Sequence, residues 1–194
     1  MSAKRARFLH VMVLAASLGG PSLASDPETV LRPTGEPQEE LVLVGVVSRA
    51  EIESVMPEWV AEVVVAQPDL EAATDMVAAL AGAKVTVFFG TWCSDSGREL
   101  PRLWRALDEV GTPEPVEILY VAVDRDKSEP RDLLAGQDLQ WVPTFVVERA
   151  GVELGRIVES SPAGIEKDLL ALLSARLTGS ISDNPLAKGS GEEL

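Results

Sequence analysis

The chain has 194 residues, 46% hydrophobic and 25% charged, which suffices for one domain with a substantial core. Its 17 basic and 31 acidic side chains give a net charge of −14, a balance that repels nucleic acid and anionic membrane. A single cysteine, Cys93, excludes an intramolecular disulfide, and a single histidine, His10, leaves little room for histidine-based catalysis or metal binding.

The N-terminus opens with Lys4, Arg5 and Arg7, followed by a short apolar run from Phe8 to Leu18. Ser22-Leu23-Ala24 then places small residues where a signal peptidase reads. Residues 1–24 are therefore expected to be a secretory signal cut after Ala24, which makes the protein exported, periplasmic or secreted. The run is too short to span a bilayer comfortably, and no cysteine follows it to carry a lipid anchor. Cleavage would remove three basic residues, no acidic ones and the only histidine, leaving a net charge of −17. Residues 25–40, rich in Pro, Glu, Thr and Gly, are expected to be a flexible linker.

Leu41 to Val47 is apolar and of strand length. Ser48 with Glu51 forms a capping box for a helix to Val55 or Met56, stopped by Pro57. Ala61 to Ala66 is expected to be a second strand, and Asp69 to cap a helix from Leu70 to Ala81, ended by Gly82. Val85–Phe89 is a nearly all-apolar strand, central and buried on both faces. A helix follows Cys93 to about Val110, with Leu100, Leu103, Trp104 and Leu107 on one face and Arg98, Arg102 and Arg105 on a solvated one. Pro101 sits inside it and costs a hydrogen bond. Val116–Val123 is a strand, Asp124–Ser128 a charged loop, and Pro130 starts a short helix through Ala135. A strand ending near Glu148 turns at Ala150-Gly151 into its hairpin partner, Val152–Val158. A last helix begins at Pro162, and residues 178–194 are expected to be a disordered tail. The order β-α-β-α-β-α-β-α-β-β-α implies a three-layer α/β domain over residues 41–177, with parallel pairs and a late antiparallel edge.

One stretch, Lys84 to Trp104, reads as a site. Strand, turn, cysteine and helix follow in that order. The first amides of a helix lack internal partners and its dipole is positive there, so a thiol at that point has its reactive anion stabilised. The bland alternative is a small buried hydrophobe.

The stretch resembles the thioredoxin superfamily. Phe88-Phe89-Gly90-Thr91-Trp92-Cys93 ends a strand and opens a helix, Pro101 lies eight residues past the cysteine, and Val142-Pro143-Thr144 precedes a hairpin and a terminal helix. The resemblance implies a thioredoxin-like sandwich with a central mixed sheet and helices on both faces. It also implies a nucleophilic Cys93, a shielding Trp92, and a cis Pro143 facing the sulfur, unless Pro143 is an ordinary trans strand-edge proline. The Val142 backbone would then pair with an extended client. The family motif Cys-x-x-Cys is here Cys93-Ser94-Asp95-Ser96, so Ser96 replaces the resolving cysteine. Ser96 is expected to hydrogen-bond the sulfur. Asp95 either repels the sulfur's anion or caps the helix, and capping is favoured. Val87 stands where the family usually has a buried acid. Trp59, Trp104 and Trp141 are expected to be core or surface-packing residues, with Trp141 also a candidate to border the site through its place beside the Pro143 loop.

Such a site completes half of a dithiol reaction and needs another thiol to finish it. The partners implied are a client protein or a low-molecular-weight thiol or disulfide, with no cofactor, metal, nucleic acid or, after cleavage, membrane. The alternative is a non-catalytic binding module or chaperone for extended polypeptide. Peroxidase chemistry is disfavoured, because Gly90 rather than threonine lies three residues before the cysteine. An iron–sulfur role is disfavoured because Ser94-Asp95 lacks the glycine and aromatic of monothiol glutaredoxins.

Overall fold

The computed structural model of the protein describes residues 41–187. The expected signal and linker, and the tail beyond residue 187, lie outside the described residues.

Six strands form one mixed sheet in the order β1-β3-β2-β4-β5-β6. They are β1 (Gly45–Val47), β2 (Ala83–Phe89), β3 (Ile118–Ala122), β4 (Thr144–Arg149), β5 (Val152–Val158) and β6 (Gly179–Ile181). The helices are α1 (Arg49–Val55), α2 (Pro57–Val65), α3 (Leu70–Ala79), α4 (Ser94–Glu109), α5 (Arg131–Leu134) and α6 (Ile165–Leu173). The central pair β2–β3 is parallel, with Val87 opposite Tyr120, while β4 runs antiparallel to both β2 and β5.

Alternation along β2 divides the core in two. Val85, Val87 and Phe89 face a large cluster with Trp59, Met76, Leu103, Trp104, Leu107, Leu169 and Leu172, contributed by α2, α3, α4 and α6. Phe88 faces the opposite side with Val121, Val123, Val142 and Val146, against which Leu133 and Leu134 of α5 pack. Helices thus cover both faces, thickly on one and by a single short turn on the other. Among the described residues no helix is long and apolar enough to cross a membrane.

Three expectations are corrected. Ala61–Ala66 is helix rather than strand: Pro57 starts α2 at its first position, and Trp59 and Val63, four residues apart, are the buried side chains. Tertiary burial of that stripe outweighs the strand preference of the valines. With no strand there, the parallel pairing implied for the N-terminal strand also fails, and β1 is antiparallel to β3. Residues 179–181 are ordered as β6, parallel to β5, where a disordered tail was expected. A side chain at Gly155 would put its Cβ 2.5 Å from the Gly179 carbonyl oxygen, so glycine lets the two strands close. Asn184 Nδ2 donating to Glu159 at 2.6 Å, and Asp183 N–H donating to Ser160 Oγ at 3.0 Å, pin the segment after β6.

The capping box of α1 is formed: Ser48 Oγ accepts from Glu51 N–H at 3.2 Å and Glu51 accepts from Ser48 N–H at 2.7 Å. α4 continues through Pro101. It meets α2 at Gly97, where an added Cβ would lie 2.8 Å from Trp59 Nε1. Trp104 packs at 6.2 Å against both Trp59 and Tyr120, and its Nε1 donates to the Tyr120 hydroxyl at 3.1 Å.

Tyr120 is the only tyrosine in the chain. Burial pushes its phenol well above the ordinary range, partly opposed by the hydrogen bond from Trp104. A phenol whose folded pKa is raised contributes stability that is complete below its unfolded value of about 10 and is lost as pH climbs above it. Phenolate absorbance is therefore expected to appear only together with alkaline unfolding followed by circular dichroism. Ionisation near pH 10 with the fold intact would contradict the burial.

Candidate active site

β2 delivers the chain to the site through a tight turn. Cys93 N–H donates to the Gly90 carbonyl at 3.0 Å, and the Cys93 carbonyl accepts from Gly97 N–H at 3.1 Å. Cys93 is thus the N-cap residue of α4, as the sequence implied, but no side chain caps the helix. Asp95 lies inside the first turn and pairs with Arg98 at 2.5 Å, so the capping role expected for it is not the one it has. Its charge still suits a helix N-terminus.

The cysteine is partly exposed. Its thiol donates to the Val142 carbonyl at 3.1 Å, and the Val142–Pro143 bond is cis. Sulfur and cis-proline loop therefore face each other, as the resemblance implied. The loop is held from both sides. Thr144 Oγ1 donates to the Trp141 carbonyl at 2.7 Å, and Glu159 N–H donates to the Pro143 carbonyl at 2.8 Å. The Val142 N–H finds no acceptor among the described residues.

Ser96 departs from its expected role. It is fully buried, and its hydroxyl oxygen accepts from Gly90 N–H at 3.3 Å instead of bonding the sulfur. It braces the turn that presents Cys93. Val87 is fully buried in the apolar core, so no acid occupies that position.

Trp92 is anchored by its Nε1, which donates to the Val123 carbonyl at 3.1 Å. Arg125 and Lys127 stand over its ring, at 5.5 and 5.9 Å from the centroid. The loop that carries them is organised by Asp124, which accepts from Ser128 N–H at 2.6 Å, Ser128 Oγ at 2.7 Å and Glu129 N–H at 2.9 Å. Those bonds, the one from the Glu129 backbone first, hold the Asp124 carboxyl below the usual carboxylate range. Neither cation was singled out from sequence, because only the folded loop brings them to the indole. Trp141 is 36% exposed and lines a cleft of about 330 Å³ with Glu153, Arg156 and Leu186. Trp59 and Trp104 are core residues, as expected.

The arginines of α4 are not simply a solvated face. Glu99, 1% exposed, accepts from Arg98 Nε at 2.7 Å, Arg102 Nη1 at 3.3 Å and the Ser161 hydroxyl at 2.5 Å. Arg98 also donates to the Glu159 carbonyl at 3.1 Å. The network ties the first turns of α4 to the loop after β5, next to the cis-proline loop.

Gly90 has a steric role. A Cβ there would fall 2.5 Å from Trp92 Cε2 and 2.7 Å from its Nε1. Gly90→Ala is expected to displace the indole and lose its bond to Val123, destabilising the fold by about 1–3 kcal/mol. Urea denaturation and the Trp92 indole N–H resonance measure the two effects.

No family model matches the chain. A thioredoxin from Echinococcus granulosus is 32% identical over 108 residues, covering 55% of this chain and 92% of the relative. A thioredoxin-like protein of Acanthamoeba polyphaga mimivirus is 26% identical over 89 residues, covering 46% of this chain and 61% of the relative, so the match spans less than two thirds of that protein. The crystal structure of a protein of unknown function from Pseudomonas aeruginosa is 16% identical with a TM-score of 0.43, covering 66% of this chain and 86% of that one. The near-complete coverage of the first relative, together with a mixed sheet that sets a helix-start cysteine against a cis-proline loop, places the chain in the thioredoxin superfamily.

Proposed function

We propose that the protein is an exported, single-cysteine thiol–disulfide exchange protein. The observation that carries this reading is the partly exposed Cys93 thiol, 3.1 Å from the Val142 carbonyl of the cis-proline loop and beside an anchored Trp92. The deprotonated sulfur attacks one sulfur of a disulfide. A Cys93–substrate bond forms, the original S–S bond breaks, and the other half leaves as a thiolate that takes up a proton. A second thiol, from a client protein or a small molecule, then attacks the substrate's sulfur in the mixed disulfide and releases Cys93 with its electron pair. The products are a new disulfide and the free protein, so the protein itself is neither oxidised nor reduced over the cycle. Both the N-terminal signal pattern and the absence of a resolving cysteine suit an oxidising compartment, where disulfides abound.

The Val142 N–H, without an acceptor among the described residues, offers a backbone donor to an extended client lying across the site. It favours a second reading, a binding module for extended polypeptide in which Cys93 is dispensable. Non-reducing electrophoresis of extracts from cells making the protein separates the two. The exchange reading expects adducts that vanish on reduction and in Cys93→Ala. Adducts absent from the wild type, with client binding retained in Cys93→Ala, would leave the binding module.

A further inference from the structure

Glu159 is held in a conformation that its own side chain opposes. Its φ of 63° lies in the left-handed region, and Ser160 N–H donates back to the Val158 carbonyl at 2.7 Å, closing a three-residue turn of the rare, strained hand. Such a residue persists where its surroundings over-determine it. Here its N–H donates to the Pro143 carbonyl at 2.8 Å, its carbonyl accepts from Arg98 Nη2 at 3.1 Å, and its carboxylate accepts from Asn184 Nδ2 at 2.6 Å. One residue thus joins the cis-proline loop to α4, the helix that Cys93 begins. The ladder between β4 and β5 ends at Thr144 and Val158, so Glu159 is the next link towards the sulfur.

Arg98 holds the joint from the α4 side. Its planar fork reaches three acceptors: Asp95 through Nη1 at 2.5 Å, Glu99 through Nε at 2.7 Å and the Glu159 carbonyl through Nη2. Glu99 is 1% exposed and also accepts from Ser161, so the guanidinium is fixed by a buried partner. A closed circuit results. It runs from Cys93 to the Val142 carbonyl at 3.1 Å, along the chain to Pro143, across to Glu159, across to Arg98, and back through the first turns of α4 to Cys93.

We propose that Arg98 is a positioning residue of the exchange reaction, setting the Val142–Pro143 segment relative to the Cys93 sulfur through the Glu159 backbone. The inference rests on the exchange reading of Cys93. It concerns clients that lie along the Val142 backbone. A shift of that segment moves such a client's disulfide off the line of attack, whereas a small disulfide needs only the sulfur.

The test sets hydroxyethyl disulfide against a short uncharged peptide, rich in valine and threonine, whose one central cysteine is capped as a mixed disulfide with mercaptoethanol. Attack on the peptide's sulfur forms the Cys93–peptide bond and releases mercaptoethanol, and only that adduct is counted. Adduct formation on the full chain is followed by intact mass, and each rate is divided by the rate of the same disulfide with free mercaptoethanol. In the wild type the peptide is expected to exceed the small disulfide by about 10-fold. Arg98→Met combined with Glu99→Gln leaves no buried carboxylate short of its cation. Relative to Glu99→Gln alone, it is expected to lose about five-fold or more of that ratio, with the rate for the small disulfide within about two-fold. Arg98→Lys keeps a cation beside Glu99 without the fork; a loss of about three-fold or more is expected there, which tests the proposal even where the double variant does not fold. A wild-type ratio of one, or a ratio that the folded variants leave unchanged, would overturn the proposal and leave Arg98 as a partner of Glu99 alone. Failure of hydroxyethyl disulfide to react with the wild type at all would instead overturn the exchange reading, and the positioning role with it.

Discussion

Replacing Ser96 with cysteine is expected to shorten the life of the Cys93 mixed disulfide by roughly 100-fold or more, because a neighbouring thiol on the same chain acts at a far higher effective concentration than one in solution. Positions 93 and 96 are one helical turn apart at the start of α4, a Cα separation of about 5–6 Å that a disulfide spans. Ser96 is already inside the protein, so the new sulfur needs no further burial. The cost is the hydrogen bond from Gly90, about 1 kcal/mol. Ser96→Cys should therefore release its adduct without added thiol and end with a disulfide between positions 93 and 96, whereas the wild-type adduct waits for an external thiol. Intact mass recorded over time distinguishes the two. An adduct equally persistent in the variant would mean that α4 holds position 96 out of reach.

The second large effect concerns stability. Trp104 is fully buried, packed at a tilt against Trp59 and edge-on against Tyr120, capped by the Arg49 guanidinium 5.2 Å from its ring centroid, and hydrogen-bonded to the Tyr120 hydroxyl. Trp104→Ala is expected to cost about 3–5 kcal/mol, from lost apolar burial and the cavity left behind. It also strips Tyr120 of its donor, so the buried phenol oxygen loses a partner. Such a loss is a large share of a typical domain's stability. Urea denaturation of the variant measures it, and a change under about 1 kcal/mol would contradict the packing described.

Much of the site was legible because it is local. The apolar run of β2, the cysteine at the start of α4 and the proline after Val142 are each written in a few consecutive residues, and the resemblance they carry to the thioredoxin superfamily implied that Pro143 would face Cys93. The misplaced elements were decided by distant contacts. The Val63-Val64-Val65 run prefers a strand, and only burial of Trp59 and Val63 against α4 makes it helical. β6 has the composition of a tail, and its pairing depends on Gly155, in β5. Ser96 has the spacing to serve the sulfur, but the turn rotates it beneath Gly90. The cations over Trp92 come from a loop about 30 residues on, organised by Asp124, whose contacts have no counterpart in spacing or composition.

The proposed function stands or falls with disulfide exchange by Cys93 in the folded protein. Intact mass of the native chain after treatment with one equivalent of hydroxyethyl disulfide tests it most directly, with the urea-unfolded chain and Cys93→Ala as controls. One adduct is expected on the native chain, formed faster than on the unfolded chain, stable once excess disulfide is removed, released by added thiol and absent from Cys93→Ala. A native chain that stays unmodified while the unfolded chain reacts would contradict it.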